Sequence, residues 1–384
     1  MKQLKFTQLS YFLLLLISGS LLAGCGSQNA TLAEEKAEDR FESRQAPVSL
    51  PTKKFVKTST ASLSAIGDVL IHTPLYKDAE TKSGYDFNPM FANVKPYLEK
   101  SDITVANSES IIGGSEIGLS SYPSFNSPFE VGDAMKDAGI DVVSMANNHT
   151  LDRGEKAIEN AIHHWDEIGI VHTGSALSKE DSARIATMTK NGITFSFLSY
   201  TYGTNGIAAP AGKEFLVNRI DKEKIKQDVA KAKSKSDVVV VSLHFGNEYE
   251  PLPTAEQKDL AHFTAEQGAD IILGHHPHVL QPAEWIETAD GRKSFVVYSL
   301  GNFLSGQNEL DRQIGAILHL TVEKTTTADS TMIAIQDPSF TTTFVKHSGY
   351  RNFEIELLKN VNPPKNTLVK AHMSTWINNL TFDE

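Results

Sequence analysis

Residues 272–285 read "ILGHHPHVLQPAEW". A short apolar run stops at Gly274, and His275, His276 and His278 follow within four positions. The run reads as a buried strand and the histidines as the loop that leaves it. A His-x-His pair on an extended loop places two rings on one side, as chelation of a metal ion requires. Strands that end on ligand chemistry are typical of layered α/β domains, where ligands gather beyond the C-terminal ends of the strands.

The same pattern recurs outward from this stretch. "VVVVSLHFGNEYE" (238–250) stops at His244, with Glu248 just beyond, and "ASLSAIGD" (61–68) stops at Asp68. "DITVANSES" (102–110) stops at Asn107 and Glu109. "DVVSMANNH" (141–149) stops at Asn147, Asn148 and His149, with Asp152 following, and "FVVYSLGNF" (295–303) carries Asn302. Helical spacing separates these runs, most clearly in "GEKAIENAIHHWDEIG" (154–169) and "TAEQKDLAHFTAEQG" (254–268). "RIATMTKNGITFSFLSYTY" (184–202) reads as a hairpin turning at Asn191-Gly192. "KSFVVYSLGNFL" and "IGAILHLTVEK" read as antiparallel strands, and "STMIAIQDPSFTTTFVKH" as a further pair. The expected fold is a layered α/β domain with mixed sheets flanked by helices.

The chain of 384 residues is long enough for one such domain with appendages. It carries 47 acidic against 36 basic residues, for a net charge of −11. An acidic surface argues against nucleic acid as a partner, because phosphate binding needs clustered Lys and Arg.

The first residues form a different kind of segment. Lys2 and Lys5 precede the apolar "YFLLLLISGSLLAG", which ends in Leu22-Ala23-Gly24-Cys25. That order reads as a signal peptide over residues 1–24. A cysteine just after small residues resembles the bacterial lipobox, in which it is acylated and becomes the new N-terminus. Cys25 is the one cysteine of the chain, so neither a disulfide nor a thiolate metal site is available. Residues 25–60 are rich in Glu, Lys, Ser and Thr and read as a disordered tether. Residues 61–320 read as the main domain, and 321–384 as strands and a helical tail packed on it. The expected location is the extracytoplasmic face of the cell membrane, reached through lipidated Cys25.

If the strands are neighbours in one sheet, their terminal residues converge on one crevice. Imidazole, carboxylate and amide oxygen without thiolate suit Zn, Mn or Fe. In this number they suffice for one or two divalent ions, and paired ions of this kind lie about 4 Å apart and activate water against phosphoryl groups. Asp68, Glu109, Asn148, His244, His276 and His278 are the candidate ligands, with Asn107, Asn147, His275, Glu248 and Asn302 around them. His149, beside a ligand asparagine, is placed to protonate a leaving oxygen, and Asp152 is the second catalytic candidate. His72, His172, His262, His319, His347 and His372 stand apart from polar company in the sequence.

Together "AIGDVLIH", "VANSES", "MANNHTLDRG", the stretch from "SLHFGNEYEPLP" to "GHHPHVLQPAEW", and "VVYSLGNF" resemble the CapA/PgsA family of poly-γ-glutamate capsule biosynthesis proteins. The domain of that family is similar to calcineurin-like metallophosphoesterases. The resemblance covers roughly residues 61–310. It implies Asp68 as the first metal carboxylate, Asn148 as a ligand, His149 as acid or transition-state stabiliser, His244 as an isolated ligand, and His276 and His278 as the closing pair. This sequence departs from the superfamily in two places: Leu70 stands where Asp-x-His has its histidine, and the bridging Gly-Asp-x-x-Asp is absent. Three functions are compatible with the pattern: support of polymer synthesis or export by a hydrolytic metal centre, a non-catalytic polymer-binding subunit of a membrane synthase, and a phosphoesterase lipoprotein unrelated to capsule. The partners expected are the membrane, synthase or export subunits, and an acidic polymer or phosphoester substrate.

Overall fold

A computed structural model describes residues 56–383. The signal peptide, Cys25 and the tether up to residue 55 lie outside the described residues. Strands β1 (Val56–Leu70), β2 (Ile103–Ser108), β3 (Val142–Ser144), β4 (Val171–Thr173), β5 (Ala186–Lys190), β6 (Ile193–Thr201) and β7 (Val238–His244) come first in the chain. There follow β8 (Ile271–His275), β9 (Leu280–Glu287), β10 (Lys293–Leu300), β11 (Asn302–Ser305), β12 (Ile314–Thr327), β13 (Thr331–Ser348), β14 (Arg351–Leu357) and β15 (Thr381–Phe382).

These strands form two sheets rather than one. The first runs β14-β13-β12-β1-β2-β3-β4, with β11 on β1 and β15 on β13, and the second runs β5-β6-β7-β8-β10-β9. Both are mixed: β1, β2, β3 and β4 are parallel, as are β6, β7, β8 and β10, and antiparallel strands complete the sheets. The residues alternate between two cores because a strand turns successive side chains to opposite faces. Val238 and Val240 point into the layer between the sheets, while Val239 and Val241 pack on Ile225, Val229, Leu260 and Ala261 of the helices Lys222–Lys233 and Ala255–Gln267. In β1, Leu63 and Ala65 face the second sheet, and Ile66 joins the core built with Ile158, Ile162 and Trp165 of the helix Gly154–Glu167. The result is four layers, helix–sheet–sheet–helix. Burial of each large apolar side chain in them contributes about 2 kcal/mol.

The hairpin at Asn191-Gly192 forms as its sequence requires, with both residues at positive φ, 52° and 79°. Other expectations are corrected. The first strand begins at Val56, inside the expected tether, because Val56–Thr60 pair their backbone with Glu323–Thr327 while their side chains stay largely exposed. "STMIAIQDPSFTTTFVKH" is one long strand rather than two; Asp337, at φ 50°, makes an irregularity that lets β13 continue past Pro338. "KSFVVYSLGNFL" is split: β10 belongs to the second sheet and β11 to the first.

That split is where the chain crosses between the sheets. Gly301 makes the crossing at φ 65°, and its carbonyl accepts from the Asp68 N–H at 2.9 Å. Gly67 permits the approach, since a Cβ at that position would overlap the Gly301 carbonyl oxygen. Gly67→Ala is therefore expected to push β1 from β11 and to destabilise the domain by about 3 kcal/mol, lowering Tm by roughly 10 °C. Thermal melting of the purified variant checks this; an unchanged Tm would refute the close approach.

Candidate metal centre

Strand register places the polar residues in two rows. In the first sheet Asp68 stands opposite Asn107 of β2 on one side and Asn302 of β11 on the other. In the second, Thr201, His244 and His275 are in line across β6, β7 and β8. The rows meet where the parallel strands of both sheets end. His275 Nδ1 comes within 3.6 Å of Asp68 Oδ1, and Asn107 Nδ2 within 3.4 Å of His244 Nδ1. Convergence thus arises between two sheets rather than along one.

Asp68 is fully buried, and Asn107 Nδ2 donates to its Oδ1 at 2.8 Å. His278 Nδ1 lies 3.2 Å from Asp68 Oδ2 and 3.1 Å from Asn302 Oδ1, and His278 Nε2 lies 3.7 Å from Glu109 Oε1. Glu109 is also fully buried, 3.5 Å from His244 Nε2, and neither of its oxygens accepts a hydrogen bond among the described residues. A charged carboxylate buried without partners costs several kcal/mol, on the order of 3–5 when an ion-pair partner is missing. This cluster therefore fits a cation. His244 Nε2 donates to Asn148 Oδ1 at 2.8 Å.

Two groups of three offer ligand atoms all within 4.8 Å of one another: Asp68, Glu109 and His278, and Glu109, His244 and His276. Glu109 is the corner they share. A third group joins exposed Glu248 to His276 and His278. Nitrogen and oxygen donors in this arrangement suit a divalent ion of the Mn, Zn or Fe type.

The charges of the cluster are strongly perturbed. Burial alone would raise the Asp68 carboxyl, but contacts with His275 and His278 outweigh it and hold Asp68 well below the usual carboxylate range. Burial pushes Glu109 well above that range, against the pull of His278. Burial and the charge of His278 hold His276 down at about 3. Burial would lower His278 as well, but Glu109 and Asp68 prevail and raise it to about 9. An imidazolium at His278 is thus the cluster's own counter-charge.

The two histidines do not reach the centre by an extended loop. His276 and His278 adopt left-handed backbone, at φ 97° and 58°. Such positions cost about 1–3 kcal/mol each and persist where the surroundings impose them. Their turns, rather than strand alternation, bring the rings to 5.9 Å between centroids.

His149 sits at the rim. Its Nδ1 donates to Asp152 Oδ2 at 2.7 Å, and that same oxygen accepts the Phe125 N–H at 2.8 Å. Phe125 also packs edge-on against the His149 ring, centroids 4.7 Å apart. Asp152 therefore fixes the tautomer and leaves Nε2 for proton transfer. Asn147 turns away from the cluster: its Nδ2 donates to the Ser108 carbonyl at 2.9 Å and its Oδ1 accepts the His149 N–H at 3.0 Å. Asn302 supports His278 and ties it to Arg312, donating to that carbonyl at 2.8 Å.

Several residues at the site escaped the sequence reading. Tyr202 lies over His276, centroids 4.7 Å apart. Asn205 Oδ1 is 3.3 Å from Asn148 Nδ2, and Asn205 Nδ2 is 3.4 Å from His149 Nδ1. Both follow β6, whose end carries no cluster of ionisable residues in the sequence. His72, set apart in the sequence, bonds the Leu70 carbonyl at 3.0 Å and meets Phe125 at 5.1 Å between centroids. Nor are the other set-apart histidines all without company: His262 pairs with Glu284 at 2.7 Å and His172 lies 3.3 Å from Asp166.

Comparison with known proteins agrees with these motifs. The Capsule biosynthesis protein CapA of Bacillus anthracis is 28% identical over 294 residues, covering 72% of this chain and 68% of that one. The PGA biosynthesis protein CapA of Bacillus subtilis (strain 168) is 29% identical over 284 residues, covering 71% of each. The solved 5'-nucleotidase precursor from Thermus thermophilus superimposes with a TM-score of 0.45 at 14% identity, over 78% of this chain and 54% of that one. Residues 62–307 match the family of the bacterial capsule synthesis protein PGA_cap, a span of well over half the sequence that contains Asp68, Glu109, His149 and the three clustered histidines; the chain belongs to that family.

Proposed function

We propose that this chain is a lipid-anchored extracytoplasmic protein that supports synthesis or export of poly-γ-glutamate or a related envelope polymer, and that its carboxylate–imidazole cluster is a hydrolytic divalent-metal centre. The observation that carries the reading is Glu109: a fully buried carboxylate with both oxygens unpartnered among the described residues, at the shared corner of two ligand groups. The family match and the names of the two CapA relatives support the capsule pathway.

Asp68, Glu109, His244, His276 and His278, with the Asn148 oxygen, would hold one or two ions. A bound divalent ion supplies Lewis-acid polarisation of a phosphoester or amide and activation of water. The remaining work belongs to the chain. Asn107 orients the Asp68 carboxylate, and Asn302 orients His278. Asp152 holds the Nδ1–H of His149, so that in its imidazolium form the ring passes its Nε2 proton to the leaving group and is left as the neutral Nδ1–H tautomer. Phe125 keeps the His149 ring in place and shields its bond to Asp152 from water. Membrane attachment falls to Cys25 on the strength of its place after the apolar leader. No helix among the described residues is long and apolar enough to cross a membrane.

The deciding experiment loads the purified full chain with Mn or Zn and offers a generic phosphodiester and a γ-glutamyl substrate. Turnover is expected, with His149→Ala lowering kcat by roughly 10²–10⁴ at unchanged metal content. Metal binding with no turnover of either substrate would favour a non-catalytic accessory subunit.

Metal uptake should depend on pH with a definite sign. His278, raised to about 9, carries a proton at pH 7 that ligation must expel. Apparent affinity is expected to rise about tenfold per pH unit below pH 9 and to level off above it. Calorimetry in buffers of different ionisation enthalpy should show at least one proton released per ion; no release would contradict His278 as a ligand.

Mass spectrometry of the membrane fraction should find Cys25 acylated at the mature N-terminus. An unmodified secreted N-terminus would remove the anchor.

A further inference from the structure

A cavity of about 610 Å³ lies beside the metal centre, between the loop that leaves β6 and the helix Lys222–Lys233. Two of its lining residues connect it to the candidate proton donor. Leu151 is two positions after His149, and Thr204 precedes Asn205, which touches both Asn148 and His149. The volume falls in the range of about 300–1,000 Å³ that holds an extended small ligand and far exceeds the room a single phosphate needs.

The charges in the wall are unevenly committed. Glu214 is engaged by the Gly212 N–H at 3.1 Å, and Asp221 caps the helix by accepting from the Lys224 N–H at 2.8 Å. Lys224 pairs with Asp228 at 2.8 Å. Lys179 and Arg219 line the same cavity, and among the described residues neither side chain has an ion pair or a hydrogen bond. The same wall also offers apolar surface from Leu151, Ala209 and Phe215. Two free cations and apolar surface in one cavity match a flexible chain that carries carboxylates at intervals along a partly methylene backbone. They also supply the local positive charge that a polyanion needs to approach a protein of net charge −11.

We propose that this cavity is a polycarboxylate subsite, in which Lys179 and Arg219 hold successive carboxylates of an acidic acyl chain and Leu151, Ala209 and Phe215 receive the methylenes between them, delivering the chain to His149. The inference rests on the reading of the neighbouring centre as one that acts in the capsule pathway.

The test measures binding of a γ-linked glutamate decamer to the full chain by fluorescence anisotropy, with inorganic phosphate as competitor. The wild-type chain should bind the decamer, and Lys179→Ala with Arg219→Ala should weaken binding at least tenfold at unchanged Tm and metal content. Lys226→Ala, which removes a cation that does not line the cavity, should leave affinity unchanged. Equal affinity in the double variant, no binding to the wild type, or full displacement by equimolar phosphate would overturn the subsite. Decamer binding that vanishes on chelation but survives the double substitution would assign the ligand to the metal centre alone and also overturn it. Metal content of the wild-type chain, measured in parallel, reports separately on the centre: a chain that takes up no ion loses the hydrolytic reading, whatever the decamer does.

Discussion

Two carboxylates, Asp68 and Glu109, are buried completely where two sheets meet, and the chemistry of the domain follows from keeping them there. Charge withdrawn from water must be answered by opposite charge or by hydrogen bonds. Asp68 is answered by Asn107, by the His276 N–H and by His278. Among the described residues Glu109 is answered only by imidazoles at 3.5 Å and 3.7 Å, too far for hydrogen bonds. An ion at the shared corner would satisfy both carboxylates at once, and its binding would then be coupled to the stability of the fold.

Fold and site are joined at the backbone as well. Gly67 precedes Asp68, Gly274 precedes the histidine loop, and each lies so close to a neighbouring strand that a Cβ would overlap a carbonyl oxygen, of Gly301 and Tyr298 respectively. These contacts bring β1 against the chain crossing and β8 against β10 just before each delivers its ligands. Tight backbone approach leaves little freedom in the strand ends, and the strained turns at His276 and His278 use that rigidity to aim the rings.

Much of this was legible in the sequence because continuous apolar runs and strand-end chemistry are local signals. Asp68, Asn107, His244 and His275 each end an apolar run, and pairing puts them in register. Sheet membership was not legible. The run at 295–303 reads as one continuous strand, whereas Gly301 divides it between two sheets, and nothing local in "SLGNF" distinguishes a crossing from a glycine bulge. The left-handed turns of His276 and His278 were hidden for a related reason: positive φ at a non-glycine residue is imposed by tertiary surroundings, not by propensity. Tyr202 and Asn205 escaped because the loop after β6 carries no cluster of ionisable residues. Asn205-Gly206, both at positive φ, was its one available mark.

The position of Glu109 decides how the two sheets share their carboxylates. Leu70 is buried, so the end of β1 brings Asp68 to the cluster without an imidazole from that strand beside it. On the other side Asn107, not an aspartate, stands opposite Asp68, and its amide is committed to that carboxylate. Glu109 lies two residues further along, one past the end of β2. Its extra methylene gives it the reach to stand between His244 and His278, where it belongs to both ligand groups. Glu109 is therefore a carboxylate common to both ligand groups, and His278 contacts Asp68 and Glu109 together.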